Sequence, residues 1–292
     1  MSSTLNAMAR YGFILLALLC PALAEAHAVA GDRVFPATLS VDDPGVSDEL
    51  TLPQVNVSRA AGENWTTAMS AEIDKRLTEN LGVSAEGAWV GNSAASGWDN
   101  FGLGAKYVFL KNAPHETMMS VGLDWDMGGT GASRIAERFS TVSPGFFFGK
   151  GFGDLPDAAE MLKPLAVTGA AAIGFPTDGH DSAGDVNPRV LAWGATAQYS
   201  LPYLQQHVKD IGLGAPFNAA IPVIEFALQT PLNGPDQTTT GTANPGVIFM
   251  GQGFQLGLEA QLPLNRESGR AVGGMAQVHF YLDDLLHWGP LW

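Results

Sequence analysis

Strict alternation of apolar and polar side chains, held for about ten residues at a time and repeated along the chain, is what most limits the folds open to this sequence. In FQLGLEAQLPL (254–264), Phe254, Leu256, Leu258, Ala260, Leu262 and Leu264 share one parity, and Gln255, Gly257, Glu259, Gln261 and Pro263 share the other. Successive side chains of a β-strand point to opposite faces, so this stretch is a strand with one apolar face and one polar face. The pattern recurs. Residues 67–77 set Met69, Ala71 and Ile73 against Glu72, Asp74 and Arg76, and 81–89 set Leu81, Val83 and Trp89 against Ser84 and Glu86. Lys106 stands among Leu103, Ala105, Tyr107 and Phe109; Asp124 and Asp126 alternate with Val121, Leu123 and Trp125; Gln277 and His279 alternate with Ala276, Val278 and Phe280. Segments of this length suit a tilted strand crossing a bilayer, which needs about 9–11 residues, whereas soluble strands run to about five or six.

Strands are expected near 49–58, 66–77, 80–91, 99–110, 115–127, 137–149, 163–175, 187–201, 216–230, 245–252, 254–264 and 269–282. That makes twelve, and single-chain bacterial barrels have even counts. Ten is the alternative, if 245–264 is one long strand and 49–58 a lead-in. Short connections at 78–80, 111–114 and 265–268 interleave with longer polar ones at 91–100, 127–137, 176–188 and 231–245. Short turns at one rim and long loops at the other are the plan of a transmembrane antiparallel up-and-down β-barrel. Residues 203–212 have a loosely helical pattern and fall in a connection. No stretch after the N-terminal segment approaches the 18 apolar residues of a membrane helix.

The polar parity tells which solvent the apolar one meets. A soluble sandwich turns its second face to bulk water and fills it with Lys, Glu and Thr. Here that face is mostly Gly, Ala and Ser with sparse charges of both signs, as suits a curved interior where side chains converge. Only 15% of residues are charged, against about 25% in soluble domains. Trp89, Tyr107, Phe109 and Trp125 lie toward strand ends, where aromatic girdles meet head groups. The apolar face is therefore expected to meet lipid.

The N-terminus supports export. Arg10 precedes an apolar run from Phe13 to Ala24, too short to span a bilayer, and Ala24-Glu25-Ala26 fits a small-x-small cleavage site. Residues 1–26 are read as a signal peptide for Sec-type export, cut between Ala26 and His27. Residues 27–48 are read as a periplasmic lead-in, and 49–292 as the barrel. Cys20, the single cysteine, lies in the cleaved part, so the mature chain has no thiol for disulfides, cysteine catalysis or zinc–thiolate sites. A net charge of −14 argues against nucleic acid, whose phosphates need Lys and Arg.

The closing stretch FQLGLEAQLPLNRESGRAVGGMAQVHFYLDDL resembles proteobacterial outer-membrane barrels grouped as transporters of the phenol-degradation meta-pathway type, in its Gly/Glu strand, its PLN-x-x-SG turn and its final Q-x-HF-x-LDD strand. The resemblance covers about thirty residues closely and implies a barrel with a transport role, without fixing a substrate. Such chains end in an aromatic residue that the outer-membrane assembly machinery reads. Trp292 fits, with Phe280 as the alternative.

The expected function is an outer-membrane channel or transporter, in a Gram-negative bacterium, for a small solute, hydrophobic or aromatic ones included. Glu72, Asp74, Arg76, Glu86, Lys106, Asp124, Asp126, Glu259 and His279 are the expected lumen-lining set. Acids exceed bases in it, which favours cations or neutral solutes. Alternatively, these acids pair with Arg76 and Lys106 and plug the barrel. The rivals are a lipid-modifying barrel enzyme, a non-conducting structural barrel and a soluble periplasmic sandwich. The enzyme reading rests on His279 alone, since no G-x-S-x-G elbow occurs. Asp178 with 180–185 could offer loop carboxylates to calcium but lacks the spacing of a dedicated loop. No cofactor is expected; outer-membrane lipid, the assembly machinery and the solute are the expected partners.

Overall fold

The computed structural model describes residues 28–181 and 184–283. Expectations placed on the signal segment, its cleavage at Ala26 and His27, Cys20 and Trp292 lie outside those residues. Each expected strand appears. The wall consists of β3 (Glu49–Ser58), β4 (Thr66–Arg76), β5 (Leu81–Gly91), β7 (Phe101–Asn112), β8 (Thr117–Met127), β9 (Thr141–Gly151), β10 (Leu165–Pro176), β11 (Val190–Tyr199), β12 (Ala220–Pro231), β13 (Thr240–Met250), β14 (Phe254–Pro263) and β15 (Gly273–Tyr281). A small hairpin of β1 (Ala28–Ala30) and β2 (Arg33–Phe35) precedes them, and β6 (Ser96–Trp98) pairs only with the end of β5. The twelve wall strands pair antiparallel with their neighbours, β3 closes on β15, and the sheet is a complete ring. Closure leaves no edge of unpaired backbone, which hydrocarbon would not tolerate. The turn at 251–253 separates β13 from β14, so the single long strand of the ten-strand alternative does not form.

The alternation sorts as its chemistry requires. On β14, Leu256, Leu258 and Leu262 are exposed on the outside, while Gln255, Gly257, Glu259 and Gln261 are buried within. Leu103, Val121, Leu123, Trp125 and Trp89 join the outer belt. Tyr107 and Phe109 lie further from a strand end than the sequence suggests, because β7 runs on to Asn112.

The rims differ from the expected plan. Connections 77–80, 113–116 and 251–253 on the rim nearest the termini are short, but 152–164 and 200–219 on that same rim are long. The latter includes helical turns over Leu201–Val208, overlapping the 203–212 stretch expected to be loosely helical and beginning at the last residue of the strand expected at 187–201. The 265–268 turn belongs to the opposite rim, beside 128–140 and 177–189. Residues 28–48 are the larger departure. Expected as a periplasmic lead-in, they fold back inside the wall and build both buried apolar clusters. Ala28, Ala30 and Phe35 pack on Val108, Met118 and Ala166, and Leu39 packs on Ile221, Val223, Ile248 and Met275. Wall glycines make room. A Cβ on Gly257 would collide with Leu39 Cδ1, and one on Gly194 would stand 2.7 Å from Val41 Cγ2.

Candidate functional site, a plugged lumen

The inserted segment is held at its entry, its tip and its return. At the entry, buried Arg33 pairs with Glu116 at 3.1 Å and donates to the carbonyls of Lys163 and Pro164, with its guanidinium 3.8 Å from the Tyr203 ring centroid. Glu116 also accepts from the Tyr203 hydroxyl (2.6 Å) and the Gly153 amide (2.9 Å). Burial first, and then this bond to a carboxylate, pushes the Tyr203 hydroxyl up. A buried charge needs such full partnering, since desolvation otherwise exceeds the attraction gained.

At the tip, three consecutive backbone amides turn toward one side chain. Leu39, Ser40 and Val41 donate to the Glu225 carboxylate at 2.8, 3.1 and 2.7 Å. Glu225 lies at mid-strand in β12 and is fully buried. Amides converging on an anion make charge-assisted bonds stronger than neutral ones. The Ser40 hydroxyl bonds Glu259 at 3.2 Å and accepts from Asn244 at 2.7 Å, while Gln54 and Gln255 donate to the carbonyls of Leu39 and Ala37. Lys106 reaches across to Asp42 (2.6 Å) and the Asp43 carbonyl (2.9 Å), its ammonium 4.7 Å from the Phe147 ring centroid. Glu225, Glu259 and Lys106 all sit near the middle of their strands, so the tip stands at about half the barrel's height. On the return, Asp48 accepts from the Arg76 amide at 2.6 Å and pairs with Lys75. Burial, together with Asp42 and Glu49 and against the attraction of Lys106, raises the Asp43 carboxyl to about 7.

The residues picked from sequence divide by height and partner. Glu72, Asp74, Lys106, Asp124 and His279 border one interior cavity of about 230 Å³ between the segment and the wall. Glu86 stands opposite Glu72 in the β4–β5 register, and Asp126 lies one inward position beyond Asp124 on β8. Glu259 binds the plug through Ser40. Arg76 is drawn away to the rim, where it pairs with Asp283 at 2.7 Å. Pairing of the lumen acids with Arg76 and Lys106 is thus replaced: Lys106 takes an acid of the inserted segment and Arg76 one beyond the last strand. His279 bridges the seam, with Nδ1 2.8 Å from the Thr51 hydroxyl and Nε2 3.1 Å from Glu49, while Ser47 bonds Glu49 and not the imidazole. Among the described residues, Asp178, His180, Asp181 and Asp185 included, no group of three or more His, Cys, Asp or Glu could hold a metal ion.

A second cavity, of about 500 Å³, opens above the tip toward the far rim. Asp124 and Asp42 border it on one side and Ala170, Ala172, Ala192, Gly194 and Ala227 on the other. Sequence reasoning missed Glu225, Glu116, Arg33 and Asp42. For Glu225 a signal existed: it is a lone acid in the run Ile221–Leu228. Its parity was obscured because Ile221 and Val223, on the same face, are apolar and meet Leu39.

No family model matches the chain, and no curated protein matches it. Among solved structures the fold is similar to that of the NanC porin, with a TM-score of 0.52 and 10% identity over 78% of this chain and 98% of that one. The KdgM porin aligns over 79% of this chain and 98% of that one, at 12% identity and a TM-score of 0.49. The likeness to NanC, reached over nearly the whole of that porin, is one of fold: this chain is a closed, antiparallel β-barrel of twelve strands.

Proposed function

We propose that the protein is an outer-membrane channel of a Gram-negative bacterium, passing a small solute through a lumen that its own N-terminal segment plugs. One observation carries the reading: residues 28–48 enter the interior and are held there by hydrogen bonds and ion pairs to wall side chains. About eight strands leave an interior that side chains fill, and about sixteen leave an open aqueous channel. A twelve-strand wall has room to spare, and here the spare room holds the inserted segment and a cavity within the range of small-molecule sites, about 300–1,000 Å³. The outer apolar belt supports insertion in lipid, and the N-terminal run of residues 13–24 supports export to the outer membrane. The resemblance of 254–285 to barrels of the phenol-degradation meta-pathway type supports hydrophobic or aromatic solutes. The acids on the inner parity favour cationic or neutral ones.

The experiment is recovery of the protein from the outer-membrane fraction, then conductance in planar bilayers for the whole protein and for a variant lacking residues 28–46. A closed or rarely open wild type and a steadily conducting deletion are expected. A folded deletion variant that passes no ions would refute the channel.

A further inference from the structure

The two sides of the lumen differ in chemistry. Glu72, Asp74, Glu86, Asp124 and Asp126 lie on the inner parity of β4, β5 and β8, and among the described residues none of them stands in an ion pair. Lys106, the cation among them, is engaged by Asp42 of the plug. The opposite side, on β10, β11 and β12, offers Ala170, Ala172, Ala192, Gly194 and Ala227. Ser40, Val41, Asp42, Asp124 and Phe147 border both cavities, so the acidic side and the small apolar side meet over the tip.

A second observation is independent of the charges. Gln277 is buried to 5% exposure on the wall of the smaller cavity, and its Oε1 has no hydrogen-bond partner. Its amide nitrogen is turned instead toward His279 Nδ1, at 3.5 Å. Near the tip, Asn244 Oδ1 and Glu259 Oε1 are likewise buried without a donor. Buried acceptors without a donor thus stand on the cavity wall and near the tip, while Gln198 on β11 leaves both its amide oxygen and its amide nitrogen unpartnered.

From this we infer that the lumen binds a small organic ammonium ion, its charged end on the side of Glu72, Asp74, Asp124 and Gln277 and its apolar body on the alanine side. The inference rests on the channel reading and names its solute class. A metal ion fits less well. The carboxylates are spread along three strands and do not converge on a point, and no grouping of described residues suits a metal. Spread charge beside apolar surface suits a large, weakly hydrated cation. Phe147, at the junction of the cavities, already carries the Lys106 ammonium over its ring, showing that this face accepts a cation.

The test is isothermal calorimetry on the whole protein in detergent at low salt, with three probes of one shape: benzylammonium, benzyl alcohol and benzoate, each corrected for the micelle alone. Benzylammonium is expected to bind at least tenfold tighter than benzyl alcohol, and benzoate weaker still. Methylammonium, which lacks the apolar body, should bind at least tenfold more weakly than benzylammonium. The preference should shrink in 1 M salt, where the Debye length falls to about 3 Å. Replacing both acids, Asp74→Asn with Asp124→Asn, should cut benzylammonium affinity about tenfold or more and leave benzyl alcohol unchanged. Asp124→Asn alone, at a position open to the lumen, serves if the double variant does not fold. Equal binding of the three probes, displacement of benzylammonium by equimolar potassium or calcium, or undiminished binding by the folded Asn variants would overturn the inference. Binding is read here without transport. A protein that binds benzylammonium but never conducts refutes the channel, and one that conducts without this preference refutes only the ammonium.

Discussion

The clasp at Glu225 permits a quantitative prediction. Glu225→Ala removes the acceptor of three amide bonds, of 2.8, 3.1 and 2.7 Å, and leaves the amides of Leu39, Ser40 and Val41 facing a void. A hydrogen bond to a charged group contributes about 1.5–3 kcal/mol. Such bonds are not additive, and water entering the gap recovers part, so the net cost falls to about 3–5 kcal/mol, below the sum for three orphaned buried donors at about 1–3 kcal/mol each. Each 1.4 kcal/mol is tenfold, so the docked-to-released ratio should fall by roughly two to four powers of ten. Glu225→Gln keeps the shape but sets an NH2 donor against amide donors, and should release the segment too. The assays are open probability in a planar bilayer and protease cleavage within residues 28–48, with heat-dependent electrophoretic mobility as the check that the barrel is intact. A folded Glu225→Ala protein with wild-type conductance and a protected segment would refute the clasp.

Four further outcomes follow from the same geometry. Leu256→Arg or Val121→Arg, on the outer belt, should destabilise the barrel by about 2–4 kcal/mol in a urea folding titration if the position is at mid-membrane. Gly257→Arg, on the inner parity against Leu39, should drive out Leu39 and raise conductance while the barrel stays folded; unfolding in the mobility assay would contradict this. Replacing Asp124 and Asp126 together by Asn should lower cation preference, measured as a smaller reversal potential under a salt gradient, without loss of fold. For Asp43, raised from an ordinary carboxylate value to about 7, the neutral form is the one the docked state favours, so its contribution to docking is complete below about 4 and is lost as pH rises through about 7. Protection of residues 28–48 from protease should therefore be greater at pH 5 than at pH 8, and Asp43→Asn should flatten the difference.

The wall was legible in the sequence because each strand meets two solvents. Leu256 and Glu259 could not exchange faces without burying a carboxylate in hydrocarbon, so the period of two fixes which side each residue takes. The interior was not legible for a corresponding reason. Residues 28–48 have no period, since an irregular segment inside a tube is satisfied group by group: Arg33 by Glu116, Leu39 by Glu225, Asp42 by Lys106. Those partners lie 83, 186 and 64 residues away, beyond any local pattern. The inward parity of β12 was hidden likewise, because Ile221 and Val223 face Leu39 and look like lipid-facing residues. The candidate acids on β4 and β8 could be placed on a face, but not paired, from one strand at a time.

The long reach of the clasp also bears on when the segment docks. The bonds from residues 37–41 to Glu225, Gln255 and Glu259 span 184 to 219 residues of chain. Closing so long a loop is entropically costly until the intervening strands have paired and drawn its ends together, and contacts of such separation form late. Closure of the ring, β3 on β15, spans more still: Thr51 and His279, bonded across it, lie 228 residues apart. Docking of the segment and closure of the wall therefore both belong to the last stage of assembly. A membrane being furnished with this protein leaks only for as long as closure runs ahead of docking.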